Sequence, residues 1–202
     1  EFVVLTSRRT TLELVIRRYV ERHGNVRIDS ETFVRKLLTQ RDPQGLKVLG
    51  VSVADREGAR DIIGDVVIDA GGRTSSGVEQ LIEEGAPIRE EAESAGILYF
   101  TRHYRLHPGI DEPPRTKAGG TGDLGFLKFG VFPADNGCFS ITLCTPEPEL
   151  ELRKAIVRPE IFDDICRRLP GLAPWVAPEV SEGVSRVFAM GDLHSRWRDL
   201  VS

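Results

Sequence analysis

The stretch Asp65-Val66-Val67-Ile68-Asp69-Ala70-Gly71-Gly72-Arg73-Thr74-Ser75 gathers the residues of this chain best suited to holding a ligand. A short apolar run stops on a carboxylate, then passes through two glycines, an arginine and two hydroxyl side chains. An apolar run of this length bounded by turn residues predicts a buried strand. Glycines at 71 and 72 open backbone angles closed to other residues and allow close approach to a ligand. An acid delivered by a strand into such a turn can grip the ribose or phosphate of a nucleotide. The bland alternative is a tight strand-to-helix turn with no ligand. Other spacings carry less. His103 and His107 are four apart, which suits a metal on a helix, but they fall on a predicted strand and beside Pro108, so no metal site is expected. Cys138 and Cys144 share one strand face and read as core residues. The chain holds no Ser/His/Asp triad, P-loop or CxxC.

The elements that would position these residues follow from periodicity. Ser7 or Thr10 can cap a helix running to about His23, with Leu12, Val15, Ile16, Tyr19 and Val20 on one apolar face and Gly24 as the stop. Asn25 to Ile28 reads as a short strand. Thr32 to Thr39 and Leu46 to Ala54 read as an antiparallel hairpin around the turn formers between Gln40 and Gly45. After the glycine turn comes a short helix, Gly77 to Glu84. The second half predicts a long strand from Gly96 to Leu106 and a Pro/Gly-rich loop from Pro108 to Gly125. A second hairpin follows, Phe126 to Phe132 with Cys138 to Thr145, around Asn136-Gly137, a strong turn signal. Pro159 to Leu169 is an amphipathic helix with Pro and acids at its start and Arg167-Arg168 at its end. Gly183 to Ala189 is a last strand before Met190-Gly191-Asp192.

Composition narrows the class. A formal charge of −4 argues against a protein that coats nucleic acid or acidic membranes. No apolar segment approaches the roughly 20 residues needed to cross a bilayer, so no integral membrane segment is expected. Three scattered cysteines make a disulfide framework implausible and favour a cytoplasmic location. The opening on Phe2-Val3-Val4-Leu5 and the close on Trp197 to Ser202 suggest a piece of something longer.

In this order the pieces resemble the middle of a FAD-dependent monooxygenase of the p-hydroxybenzoate hydroxylase type. Ser7-Arg8-Arg9-Thr10-Thr11-Leu12-Glu13 is similar to the Arg-x-x-Leu-Glu that opens a helix in that family. Val66 to Ser75 resembles its Asp-Gly fingerprint, often Asp-Ala-x-Gly-Arg-x-Ser. Phe129 to Gly137, with the helix and Leu-Pro-Gly-Leu run that follow, resembles the substrate-binding sheet and helix. The family's Gly-x-Gly-x-x-Gly is absent and belongs upstream; its second flavin motif, a Gly-Asp, belongs downstream. Gly191-Asp192 is followed by Leu193-His194-Ser195-Arg196 and does not fit it. Nor does Gly191-Asp192-Leu193-His194, which also resembles the first turn of metallophosphoesterases, have room for the further ligands such a centre needs.

The resemblance implies an α+β fold, a mixed and largely antiparallel sheet flanked by helices. Residues 1–75 would belong to an incomplete FAD-binding domain and 76–202 to a substrate-binding domain. It implies that Arg9 touches the flavin pyrophosphate, that Asp69, Gly71 and Gly72 lie beside the ribose and pyrophosphate, and that Arg73 serves the nicotinamide nucleotide. Tyr99, Arg102 and His103, with Tyr104, lie on the strand roofing the substrate, and only one parity can face the pocket. The parent would oxygenate a small apolar or aromatic substrate with NAD(P)H and O2. No acid–base pair is named, because the chemistry belongs to the flavin, and the fragment alone is expected to be inactive. Rival readings are a non-enzymatic ligand-binding module, and the reductase or halogenase branch of the same flavoprotein group.

Overall fold

The computed structural model describes residues 6–114 and 119–200. The apolar run Phe2 to Leu5, part of the Pro/Gly-rich loop and the last two residues lie outside them. Two compact units emerge: the chain up to Val20 with Glu93–Ser195, and Glu21–Ala92 with the chain from Arg196 onward. None of the three chain boundaries this makes falls at residue 75.

The first unit is built on a six-stranded sheet. Its strands are β5 (Ile97–Leu106), β6 (Thr121–Asp123), β7 (Lys128–Pro133), β8 (Cys138–Pro146), β9 (Ser181–Gly183) and β10 (Phe188–Met190). They run in the order β10-β5-β8-β7-β6, with β9 beside β5, and every pairing is antiparallel. The β7–β8 turn is the expected one: Asn136 and Gly137 both take positive φ (58° and 64°), the two-residue geometry whose twist matches the strands. β6 lies inside the stretch expected to be loop, where Gly120 and Gly122 leave room for Val131 and Phe129.

Two helices, α3 (Leu150–Ile156) and α4 (Pro159–Arg168), contribute to the core that covers one face of this sheet. Pro159 opens α4 at a position that needs no N–H donor, and Arg167 and Arg168 sit in its last turn. Its Phe162 and Cys166, one turn apart, are buried with Ile156, Leu172 and Trp175 against Phe100, Tyr104, Phe139, Ile141 and Leu143. Burying a phenylalanine such as Phe162 stabilises by about 1.5–3 kcal/mol. Alternation along β5 and β8 therefore fixes one face as core.

The helix at the start of the chain, α1 (Arg9–Glu21), forms as expected, but none of its residues is buried. Its apolar stripe of Leu12, Val15, Ile16 and Tyr19 is exposed.

The second unit is a meander of β1 (Phe33–Asp42), β2 (Gly45–Asp55) and β3 (Gly58–Ile63), followed by α2 (Gly77–Glu83), β4 (Ile88–Ser94) and β11 (His194–Leu200). β1–β2 is the expected hairpin, with the Asp42 carboxylate accepting the Gln44 N–H at 2.8 Å and Gly45 at φ 130°. The expected short strand at Asn25 to Ile28 is not formed. Nor is the buried strand before Asp69. Residues 64–71 carry no strand pairing, and Val66 and Ile68 are 78% and 86% exposed. The apolar run is there, but among the described residues no strand pairs with it, and only Val67 between the two exposed side chains is half-buried. Val53, 2% exposed, is the one buried apolar side chain of this unit among the described residues.

Candidate functional site

The turn at Asp69 is organised by its own carboxylate. Oδ1 accepts the Gly71 N–H at 2.8 Å, and Oδ2 accepts a short bond from the Ser75 hydroxyl. Ser75 Oγ accepts the Gly77 N–H at 3.1 Å, leading into α2, and Thr74 donates to the Gly71 carbonyl at 3.1 Å. These donors, Ser75 first and the Gly71 N–H second, hold the Asp69 carboxyl below its ordinary range, with Arg198 adding attraction. The glycines differ in role. Gly72 sits at φ 62°, a left-handed angle that favours glycine. Gly71 has an ordinary φ of −70°, but a Cβ there would press on Ser75 and on Asp69 Oδ1 at 3.1 Å. Gly77, which the sequence did not single out, is tighter still, 2.7 Å from Asp69 Oδ2. Arg73 lies in the exposed 3-10 turn Gly72–Thr74.

Asp69, Gly71, Ser75 and Gly77 line one side of a groove of about 490 Å³, with Phe33, Arg35 and Leu37 of β1 among the residues on the other. Gln80 anchors that wall, accepting the Leu37 N–H at 2.8 Å and donating to the Leu37 carbonyl at 3.0 Å. Arg198 and Arg196 of β11 reach Glu90 of β4 and Glu79 of α2. Sequence reasoning missed this cluster, although Arg196 and Arg198 alternate at strand period beside Trp197.

The proposed substrate residues divide by strand parity. Arg102 and Tyr104 are on the core face of β5. Arg102 donates to Asp163 of α4 at 2.5 Å, to the Pro159 carbonyl at 3.2 Å and to the Ser185 carbonyl at 3.0 Å. The Tyr104 hydroxyl donates to the other Asp163 oxygen at 2.6 Å, and burial pushes its pKa up. Tyr99 and His103 lie on the opposite face, where the His103 backbone N–H donates to Ser185 Oγ at 3.0 Å and Phe188 meets the His103 ring edge-on at 5.8 Å. The strand therefore puts Tyr99 and His103 on one face, two rows apart, and Arg102 on the other.

Register extends that opposite face across the sheet. One row is Met190, Tyr99, Cys144 and Lys128; the next is Phe188, Thr101, Thr142, Gly130 and Thr121; the third is His103, Ser140 and Phe132. The Thr101 and Thr142 hydroxyls are 2.8 Å apart. Small hydroxyl side chains make the middle of this surface, and exposed Tyr99, Phe132 and Phe188 flank it.

Arg9, the remaining predicted cofactor residue, lies in the first unit on α1. Its guanidinium bonds Glu13 at 2.6 Å and its side chain is 88% exposed. Its neighbour Arg8, which sequence reasoning passed over, is bound more firmly. Asp135 accepts the Arg8 backbone N–H and Nε at 2.9 Å each on Oδ1, with Nη2 at 3.0 Å and the Thr11 hydroxyl at 2.9 Å on Oδ2. Arg8 draws the Asp135 carboxyl far below its ordinary range.

Among the described residues, no cluster of three or more His, Cys, Asp or Glu side chains is placed to hold a metal. His107 bonds the Pro178 carbonyl at 2.9 Å, and His194 lies 3.5 Å from Asp192. The three cysteines are free and buried. Among the described residues, no helix is long and apolar enough to cross a membrane.

No protein-family profile and no curated protein matches the chain. Solved structures do. A flavin-dependent brominase matches at a TM-score of 0.67 and 17% identity, over 96% of this chain and 45% of the brominase. The myxobacterial chondrochloren halogenase, a FAD-dependent enzyme, matches at 0.67 and 15%, over 92% of this chain and 41% of the halogenase. A probable FAD-dependent monooxygenase of Pseudomonas aeruginosa, PqsL, matches at 0.62 and 19%, over 89% and 46%. The chain thus spans less than half the length of each of these. The α+β, largely antiparallel fold expected from the sequence is the observed one, and it is the fold of the corresponding part of FAD-dependent flavoproteins.

Proposed function

We propose that this chain is part of a FAD-dependent oxidoreductase that oxygenates a small apolar or aromatic substrate, with NAD(P)H as reductant and O2 as co-substrate. The observation that carries the reading is the Asp69 turn. It stands exposed at the end of an unpaired apolar run, closed to side chains at Gly71 and Gly77, and opens on a groove. That arrangement fits a dinucleotide cofactor whose other contacts come from chain that packs on Val66 and Ile68. In this reading Asp69, Gly71 and Gly72 hold ribose and pyrophosphate, Arg73 serves the nicotinamide nucleotide and Arg9 meets the flavin pyrophosphate. FAD, when bound, supplies the redox chemistry. The chain's own residues bind, orient and exclude water.

The substrate lies on the sheet face carrying Tyr99, His103, Thr101 and Thr142. Arg102 then serves that site indirectly, by tying α4 to β5. Residues 1–75 belong functionally to the flavin domain and 76–202 to the substrate domain, although the compact units divide elsewhere. Free cysteines accord with a reducing cytoplasm.

The test is turnover by the intact protein that carries this chain. Oxygen uptake coupled to NAD(P)H oxidation and stimulated by aromatic compounds is the expected result. Halide-dependent product formation with externally reduced flavin would move the protein to the halogenase branch. Tight aromatic binding without any flavin would make it a binding module.

A further inference from the structure

We infer that Asp135 is a positioning residue of the flavin site: from the tip of the β7–β8 hairpin it fixes the first turn of α1 and so the place where Arg9 is presented. The inference rests on the reading in which Arg9 meets the flavin. Four hydrogen bonds converge on this one carboxylate, three from Arg8, including its backbone N–H, and one from Thr11. Arg8 and Thr11 flank Arg9. The Arg8 carbonyl in turn accepts the Thr11 and Leu12 N–H groups at 3.0 and 3.1 Å, starting the helix ladder. The carboxylate therefore holds the peptide on one side of Arg9 and the side chain two residues beyond it.

Two further observations make this hold consequential. α1 has 13 residues and none is buried, so its side chains add little core packing. A helix of that length is marginal alone in water. Asp135 itself is rigidly mounted: the Ala134 N–H donates to the Cys138 carbonyl at 2.8 Å, and the Cys138 N–H to the Asp135 carbonyl at 3.1 Å, closing the Asn136-Gly137 turn. The anchor belongs to the well-packed sheet, and the anchored element is the exposed one. A side-chain fork matched to a carboxylate fixes direction as well as distance.

The experiment compares Asp135→Ala, Asp135→Asn and Arg8→Gln with the wild type in the intact protein. FAD affinity is read by titration well below the melting temperature, and amide hydrogen exchange is read over α1. Asp135→Ala is expected to weaken FAD binding by about tenfold or more, with faster exchange confined to α1. Arg8→Gln, which keeps the Thr11 bond, should fall between it and the wild type, and serves if Asp135→Ala does not fold. Unchanged FAD affinity in folded variants of a flavin-binding wild type overturns this inference alone. A wild type that binds no FAD overturns the functional reading beneath it, and the exchange data then still show whether Asp135 holds α1.

Discussion

Arg102 and His103 are neighbours in sequence and have opposite surroundings, because successive side chains of a strand point to opposite faces. The residue types were legible as ligand-capable; which face was core was not. That depended on Phe162 and Cys166 of α4 packing over Phe100 and Tyr104. Asp69 was legible as the end of an apolar run beside glycines. Its bonds to Gly71 and Ser75 follow from short polar side chains meeting nearby backbone, a local preference readable in principle. Asp135 was not legible, since its partner Arg8 is distant in sequence and nothing local links them. Its carboxyl gives a pH prediction at this scale. The folded pKa is depressed below 3.8, chiefly by the Arg8 hydrogen bonds. The stabilisation is therefore fully present above that value and is lost as pH falls through the folded pKa. Amide protection at the start of α1 should hold from neutrality down to about pH 3.8 and fall away below it. Hydrogen exchange across that range checks this, and Asp135→Asn should remove the dependence.

Among the elements, both hairpins were readable because their turns carry residues tied to specific angles: Gly45 after Asp42-Pro43, and Asn136-Gly137. β3 was missed because Arg60 and Asp61 interrupt its apolar pattern, yet its register with β2 is regular. The opposite error, the strand before Asp69, comes from the same rule. An apolar run signals a strand only if a neighbour supplies hydrogen bonds and cover. Gly50 in mid-β2 looks like a flaw in sequence and is a requirement in structure. A Cβ there would collide with the Ile62 carbonyl of the adjacent strand. Gly50→Ala should destabilise the β1–β2–β3 meander by about 1–3 kcal/mol. Thermal or urea unfolding followed by a probe in this sheet measures it. A loss below a few tenths of a kcal/mol would show that β3 shifts freely.

At the scale of the whole molecule, the two units differ in how much core they build, although both leave apolar side chains exposed, the α1 stripe among them. The first has a continuous buried cluster from Phe100 to Val187. The second leaves Phe33, Val34, Ile63, Val66 and Ile68 exposed, a pattern that marks an interaction surface rather than a finished core. This contrast is what the functional account explains, by giving the exposed run a packing partner and the Asp69 turn a ligand. The most direct measurement is the flavin content of the intact protein, taken from its absorption spectrum and from the FAD released on denaturation. A yellow intact protein with stoichiometric FAD is the expected result, and a colourless preparation is expected for the 202 residues alone. An intact protein that stays colourless and takes up no FAD when it is supplied would contradict the functional reading.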